Sequence, residues 1–339
     1  MKINEEFLHS MQGAMKLLRT RGPKEATAAL QRALGAHGLH TQATPQTKPD
    51  APAVTYPGTF TTHTFTSAAG HRNYKLYVPK QHSSRALPLV VMLHGCTQDA
   101  DDFAAGTQMN ALAEREGCIV VYPVQPQGAN ASKCWNWFKP ADQRRDSGEP
   151  ALIAGITREV ISKHAVDPAR VYVAGLSAGG AMAAIMIQAY PDLYAAACVH
   201  SGLAVGSAHD LQSALAAMRG GKSPGARRAA AAAKRPLIVF HGDADATVHP
   251  SNAAELLRGF GAQAVVFDET SHGEAGKRKS TVERLKSSDG VDAELWRIHG
   301  APHAWAGGST NGSYTDATGP NASALMMRFF LDHPMAAEH

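Results

Sequence analysis

Six short, nearly continuous apolar runs constrain this chain most: Leu89–Leu93, Ile119–Tyr122, Val171–Ala174, Ala195–Val199, Leu237–Phe240 and Ala293–Ile298. Helix-like stretches separate several of them, at Ala104–Arg115, Leu152–Lys163, Ala178–Tyr190, Asn252–Phe260 and Ser323–Leu331. Strands without polar alternation are buried on both faces, so the pattern predicts an α/β fold with a mostly parallel sheet between helix layers. Two alternating segments precede it, Thr59–Phe65 and Tyr74–Val78, which read as an antiparallel pair at a sheet edge. Residues 204–235, rich in Ala, Gly and basic side chains, and the polar residues 268–289 read as solvated insertions. The first follows a strand on the site side of the sheet, so a cap over the pocket is a secondary reading.

The sheet pattern predicts one α/β domain over residues 58–335. Ahead of it, Leu8, Met11, Met15 and Leu18 fall on one helical face, and Ala26, Leu30 and Leu34 on a second, with Gly35 as a stop. Residues 1–36 are therefore expected to be a helical arm, suited to packing or oligomerisation. Residues 37–57, rich in Thr, Gln and Pro, read as a linker. A net charge of +4, with no basic stripe, gives no reason to expect nucleic acid. No run reaches the ~18 apolar residues of a membrane span. The N-terminus lacks the apolar core of a secretory signal, which points to a cytoplasmic chain, with export as the alternative.

The chemistry gathers around the sequence VYVAGLSAGG (171–180). A strand enters Gly175-Leu176-Ser177-Ala178-Gly179 and a helix former leaves it, the context in which a G-x-S-x-G turn raises a serine hydroxyl above a sheet. The turn also sets the Ala178 backbone N–H at a helix start, where a developing oxyanion is stabilised. Serine needs a base. The chain holds 17 histidines, so position must select one. In this chain order an acid follows the serine, then a histidine. The Leu237–Phe240 strand runs into His241-Gly242-Asp243-Ala244-Asp245, which makes Asp245 the expected acid and Asp243 its alternative. The Ala293–Ile298 strand runs into His299-Gly300-Ala301-Pro302-His303, with His303 the expected base and His299 its alternative.

A second oxyanion donor is expected from the turn after Leu89–Leu93. The backbone N–H of Cys96 is the first candidate and that of Thr97 the second. Nothing reads as a His–Asn pair serving Cys96, so its thiol is not expected to be the nucleophile. The four cysteines show no zinc-ligand spacing. Cys118 and Cys198 lie in apolar runs and read as buried thiols. Cys96 and Cys134 lie in loops beside the candidate site; whether they join, as an oxidising compartment would allow, is left open by sequence. Two of the four tryptophans sit in Cys134-Trp135-Asn136-Trp137-Phe138. Trp137 and Trp305 are expected to form a substrate-facing wall, while for Trp135 packing against the core is an equal reading.

These segments resemble a known family. LHGCTQ (93–98), VVYPVQ…CWNWF (120–138), GLSAGG (175–180), HGDADATV (241–248), GAPHAWAGG (300–308) and GSYTDATGPNAS (312–323) are similar, in order, to the esterase/polyhydroxybutyrate depolymerase family, relatives of feruloyl and acetyl-xylan esterases. The resemblance covers roughly residues 55–335. It implies an α/β-hydrolase fold, ester hydrolysis without metal or organic cofactor, and Ser177, Asp245 and His303 as nucleophile, acid and base. It also implies a short-chain polyhydroxyalkanoate polymer or oligomer as substrate, with feruloyl or acetyl esters of polysaccharide as the alternative. A noncatalytic granule- or polymer-binding protein is the reading from a different class. A peptidase of the same fold is a further reading that no motif specifies.

Overall fold

The computed structural model describes residues 57–80, 85–220, 235–258, 265–272 and 276–336. The arm expected at 1–36 and the linker at 37–57, Pro57 apart, lie outside the described residues.

Ten strands form one sheet, in the order β1-β2-β4-β3-β5-β6-β7-β10-β9-β8. The central six are parallel: β4 (Ile119–Pro123), β3 (Leu87–Leu93), β5 (Val166–Leu176), β6 (Ala196–His200), β7 (Leu237–Gly242) and β10 (Asp292–Ile298). They are the six apolar runs. Alternation inside each run sorts its side chains to opposite faces. Leu89, Val91 and Leu93 join one core cluster, whereas Val90 and Met92 join the other. The first face is covered by α3 (Gly148–Lys163) and α4 (Ala178–Ala189), through Ile153, Ile156 and Val160 and through Met182 and Met186. The second is covered by α1 (Ala100–Thr107), α2 (Met109–Glu116) and α7 (Ala322–Asp332), through Phe103, Met109, Leu112, Met326 and Phe330. β1 (Thr59–Ser67) and β2 (Gly70–Val78) pair antiparallel at one edge, as their alternation predicts.

Three details differ from the sequence expectation, each for a local reason. The single helix expected over Ala104–Arg115 is two, broken at Gln108, whose φ is 55°. The carbonyls that would continue the ladder have other partners: Gly106 O accepts from Ser309 N at 2.8 Å and Thr107 O from Ser323 Oγ at 2.7 Å. The polar stretch 268–289 is not a simple insertion. It holds β9 (Ser280–Lys286), antiparallel to β10 and to β8 (Val265–His272). Ser280 and Val282 are buried while their neighbours are half-exposed, an outer-strand pattern that overall polarity conceals. Within 204–235, α5 (Leu211–Met218) is capped by Asp210 and packs Ala214 and Ala217 into the core. Met218 O accepts from His249 N at 2.7 Å, just before α6 (Ser251–Leu257). That part of the stretch read as a cap over the pocket (204–235) is packed structure, and its residues 221–234 lie outside the described residues.

α7 is fastened by apolar and ionic contacts. Phe330 stacks on Tyr172 of β5 with ring centres 4.6 Å apart and an angle of 6° between the planes, and both residues are fully buried. Arg328 donates to Glu294 of β10 at 2.9 and 2.6 Å, and Trp296 Nε1 donates to the same buried carboxylate at 2.9 Å. Phe330→Ala should lower the unfolding free energy by about 3–5 kcal/mol, because the rigid sheet cannot close over the lost ring. Urea denaturation checks this, and a loss under about 1 kcal/mol would contradict the packing described.

Candidate active site

β5, β7 and β10 end on one side of the sheet, and the candidate residues sit on the turns that follow. Ser177 occupies the turn between β5 and α4 with φ 58° and ψ −118°. A β-carbon in that region is strained, at about 1–3 kcal/mol. Both sides hold it there. Its N–H donates to His200 O at the end of β6 (2.9 Å), and its own carbonyl accepts from Ala181 N (2.9 Å), opening α4. The flanking glycines are required by close approach. A Cβ on Gly179 would overlap the Leu93 carbonyl oxygen at the end of β3, and one on Gly175 would overlap the Gly179 backbone.

The two acid candidates and two histidine candidates form two separate pairs. Asp245 Oδ2 accepts from His303 Nδ1 at 2.7 Å, and its Oδ1 accepts from Thr247 N (2.9 Å) and Val248 N (2.8 Å). The Asp245 side chain is fully covered and that of His303 only 8% exposed. Burial pushes the Asp245 carboxyl upward, but the bonds from His303 and Val248 outweigh it and hold the group below its usual range. Asp243 instead pairs with His299 at 3.0 Å, with both side chains nearly half exposed, and His299 Nε2 contacts Thr281 Oγ1 at 2.8 Å. That outer Asp–His–Thr chain has the hydrogen bonds of a relay. Its hydroxyl, however, lies within β9, with neither a strained turn nor a helix start beside it.

The turn after β3 is rigidly held. Trp135 Nε1 donates to His94 O (3.1 Å). Gln125 N donates to His94 Nε2 (3.1 Å), so the proton resides on Nδ1, which donates to Gly95 O (2.8 Å). Gly95 N donates to Gln98 Oε1 (3.0 Å). A Cβ on Gly95 would stand 3.7 Å from Ser177 Cβ, which places this turn directly against the serine. Thr97 N is committed to Ser132 O at 2.7 Å. The backbone N–H groups of Cys96 and Ala178 carry no hydrogen bond among the described residues. Cys96 and Cys134 are joined as a disulfide, which pins the turn to the Cys134–Phe138 loop. Buried Glu149 holds that loop from behind, accepting from Asn136 N (2.7 Å), Asn136 Nδ2 (2.6 Å) and Gln125 Nε2. Cys118 and Cys198 are fully buried, and burial drives both thiols upward, Cys118 to about 12.

The tryptophans fall differently from the expected wall. Trp305 is 1% exposed. Its ring packs edge-on to Phe103 and stacks on His200, and Nε1 donates to Ser323 Oγ at 3.1 Å. It is a core residue beneath the site and does not face substrate. Trp135 is equally buried, and Trp137, at 6% exposed, sets its ring edge-on to half-buried Phe138. The sequence singled out Trp305 by nearness to His303, but the strand bridge at Trp305–Ala306 turns the side chain inward.

Sequence reasoning missed two buried histidines. His200 touches both halves of the site: its carbonyl takes the Ser177 N–H, and its Nε2 accepts from Ala306 N at 3.0 Å, three residues beyond His303. Its Nδ1 then holds the proton and donates to Ser201 Oγ at 3.2 Å. His94 does the equivalent for the turn at Cys96. A histidine at a strand end beside Gly or Ser was the available signal, at Leu93-His94-Gly95 and Val199-His200-Ser201. Ser177 Oγ and His303 Nε2 make no hydrogen bond among the described residues, so the hydroxyl and the ring nitrogen are both open. Such contacts are commonly loose without substrate and tighten when it binds.

A strained serine between strand and helix, with a buried Asp–His pair from later strands on the same side of a mostly parallel sheet, defines an α/β-hydrolase fold. The family model for esterase PHB depolymerase matches residues 72–284, and the chain belongs to that family. Poly(3-hydroxyalkanoate) depolymerase C of Paucimonas lemoignei is 37% identical over 198 residues, covering 54% of this chain and 46% of that one. Feruloyl esterase B of Thermothelomyces thermophilus is 32% identical over 199 residues, covering 54% and 67%. The matches thus span about half to two thirds of the curated relatives' length. Among solved structures, acetyl xylan esterase from Aspergillus awamori aligns with a TM-score of 0.60 at 20% identity, covering 80% of this chain and 98% of that one, which shows the shared fold.

The buried histidines make stability depend on pH. Burial lowers His94 to about 4 and His200 to about 3, the latter further lowered by His241 and His303. Below an unfolded value of about 6.5 the unfolded chain binds protons that the folded chain refuses. Stability should therefore fall as pH drops from 6.5, by roughly 1.4 kcal/mol per pH unit per histidine, until the folded values are reached. Urea titrations at pH 7 and pH 5 should differ by roughly 2–4 kcal/mol, and His200→Gln should flatten the slope. Equal stability at the two pH values would contradict neutral, buried imidazoles.

Proposed function

We propose that this chain is a serine carboxylic ester hydrolase that works through an acyl-enzyme. The observation that carries the reading is the joint presence, at one sheet end, of Ser177 in a left-handed turn at a helix start and the buried Asp245–His303 pair. In this mechanism His303 Nε2 takes the proton from Ser177 Oγ as that oxygen attacks the ester carbonyl. Asp245 holds the ring through Nδ1 and stabilises the imidazolium. The tetrahedral oxyanion takes hydrogen bonds from the Cys96 and Ala178 backbone N–H groups, each such donor commonly contributing about 10²–10³-fold in turnover. His303 returns the proton to the departing alcohol. Water then repeats the sequence on the acyl-enzyme.

The proposed substrates are short-chain polyhydroxyalkanoate polymer or oligomers, supported by the 37% identity to a poly(3-hydroxyalkanoate) depolymerase. Feruloyl and acetyl-xylan esters are the second reading, supported by the 32% identity to a feruloyl esterase. No helix among the described residues is long and apolar enough to cross a membrane.

Ser177→Ala should reduce hydrolysis of p-nitrophenyl butyrate to background with an unchanged circular dichroism spectrum. A fluorophosphonate should tag only the peptide that contains Ser177. Undiminished turnover in the variant ends the proposal. Hydroxybutyrate oligomers, methyl ferulate and acetylated xylan, assayed side by side, separate the substrate readings, and activity confined to the last two would favour the polysaccharide esters.

The two Asp–His pairs give a second test. Asp245→Asn or His303→Ala should cost about 10³–10⁴-fold in kcat, by analogy with loss of a triad member. Asp243→Asn and His299→Ala should stay within about twofold, because their ion pair is solvent-screened and carries little. The reverse ranking in steady-state kinetics would move the assignment to the outer pair.

A further inference from the structure

We infer that Tyr314 is a specificity-determining residue, its ring touching the part of the ester that extends beyond the scissile bond. The inference rests on the ester-hydrolase reading above. Tyr314 is 38% exposed, and with Leu331 it makes up the large exposed hydrophobic side chains of the described residues. Its place is what distinguishes it. The hydroxyl lies 3.2 Å from Thr97 Oγ1, on the residue that follows Cys96. Its carbonyl accepts from Trp305 N at 2.7 Å, two residues after His303. One aromatic residue thus bridges the turn that offers an oxyanion donor and the loop that carries the candidate base.

The backbone supports the same conclusion. Tyr314 has φ 51° and Thr97 φ 65°. A bulky ring and a β-branched side chain are poorly suited to the left-handed region, where Gly or Asn is comfortable. Two such residues are in mutual contact at the turn whose Gly95 lies against Ser177, and strained residues of this kind are common at functional sites. The loop has fastenings that do not involve the ring. The segment is already fastened by Ser313, whose N donates to Asp102 Oδ1 at 2.8 Å and whose carbonyl accepts from Gln98 Nε2 at 3.1 Å. Gly312, packed against Gly106, fastens it further. An exposed, strained tyrosine on an anchored loop presents a flat apolar face and a hydroxyl to an elongated ester, whereas a small acetyl ester occupies only the space at Ser177.

Tyr314→Asn removes the ring and suits the left-handed backbone. In the full chain, the ratio of kcat/KM for a hydroxybutyrate trimer to that for p-nitrophenyl acetate should fall about tenfold, carried by KM. The thermal midpoint should hold or rise. Tyr314→Phe should keep most of the ratio, since the ring makes the contact. A lowered midpoint with equal losses on both esters would show that Tyr314 only braces the Cys96 turn, and an unmoved ratio would show that substrate does not reach it. Either result overturns the assignment. Wild-type turnover of p-nitrophenyl acetate and its loss in Ser177→Ala report on the ester-hydrolase reading separately.

Discussion

Everything at this site depends on the close approach of the Ser177 turn to the end of β3. The Gly179 backbone lies so near Leu93 O that no β-carbon fits between them. That approach forces Ser177 into its left-handed conformation and starts α4 immediately behind it. It also sets the serine beside Gly95, and so beside the turn that carries the Cys96 N–H. A looser junction would relieve the strain, but it would separate the hydroxyl from both candidate oxyanion donors. The strain is sustained because buried strands on both sides, β3 and β6, are pinned in register with β5.

His200 extends that control across the sheet. Residues 177 and 306 lie on separate loops, yet both donate backbone N–H groups to this one residue. Its stacking on Phe240 and Trp305 fixes the ring plane, and burial keeps the ring neutral, as acceptance of the Ala306 N–H requires. A charged ring would carry protons on both nitrogens and could not accept that bond. A neutral His200 ring therefore allows the Ala306 N–H bond, three residues beyond His303, while the His200 carbonyl holds the Ser177 N–H.

Much of this was legible in the sequence, for a definable reason. The Ser177 elbow is encoded locally: an apolar strand, two glycines that only a tight junction needs, and a helix former. The sheet was legible because its six central strands are buried on both faces and carry an unbroken apolar signal. Asp245 and His303 were legible only as members of pairs, because what separates them from Asp243 and His299 is coverage by distant chain. β9 was hidden by its half-exposed outer position. The roles of His94 and His200 were hidden because their partners lie 31 and 106 residues away. The reading of Trp305 failed in the same way: nearness in sequence to His303 says nothing about which side of a two-residue bridge the ring occupies.

Asp243 and Asp245 show how little residue type decides and how much surroundings do. Both carboxylates accept from a histidine Nδ1, at 3.0 and 2.7 Å. Around Asp243 solvent screens the pair, so its attraction is weak, although Gly300 N donates to Asp243 Oδ1 at 2.6 Å and Thr281 Oγ1 contacts His299 Nε2. Asp245 is covered, and two backbone N–H groups fix the oxygen that His303 does not use. In that lower dielectric the carboxylate gains most from an imidazolium at the moment one forms. Fixed backbone donors also mean that Asp245 need not reorganise as charge develops on His303. Coverage by the surrounding chain thus favours the inner pair as the candidate for proton transfer, although two residues of sequence separate the acids and four the histidines.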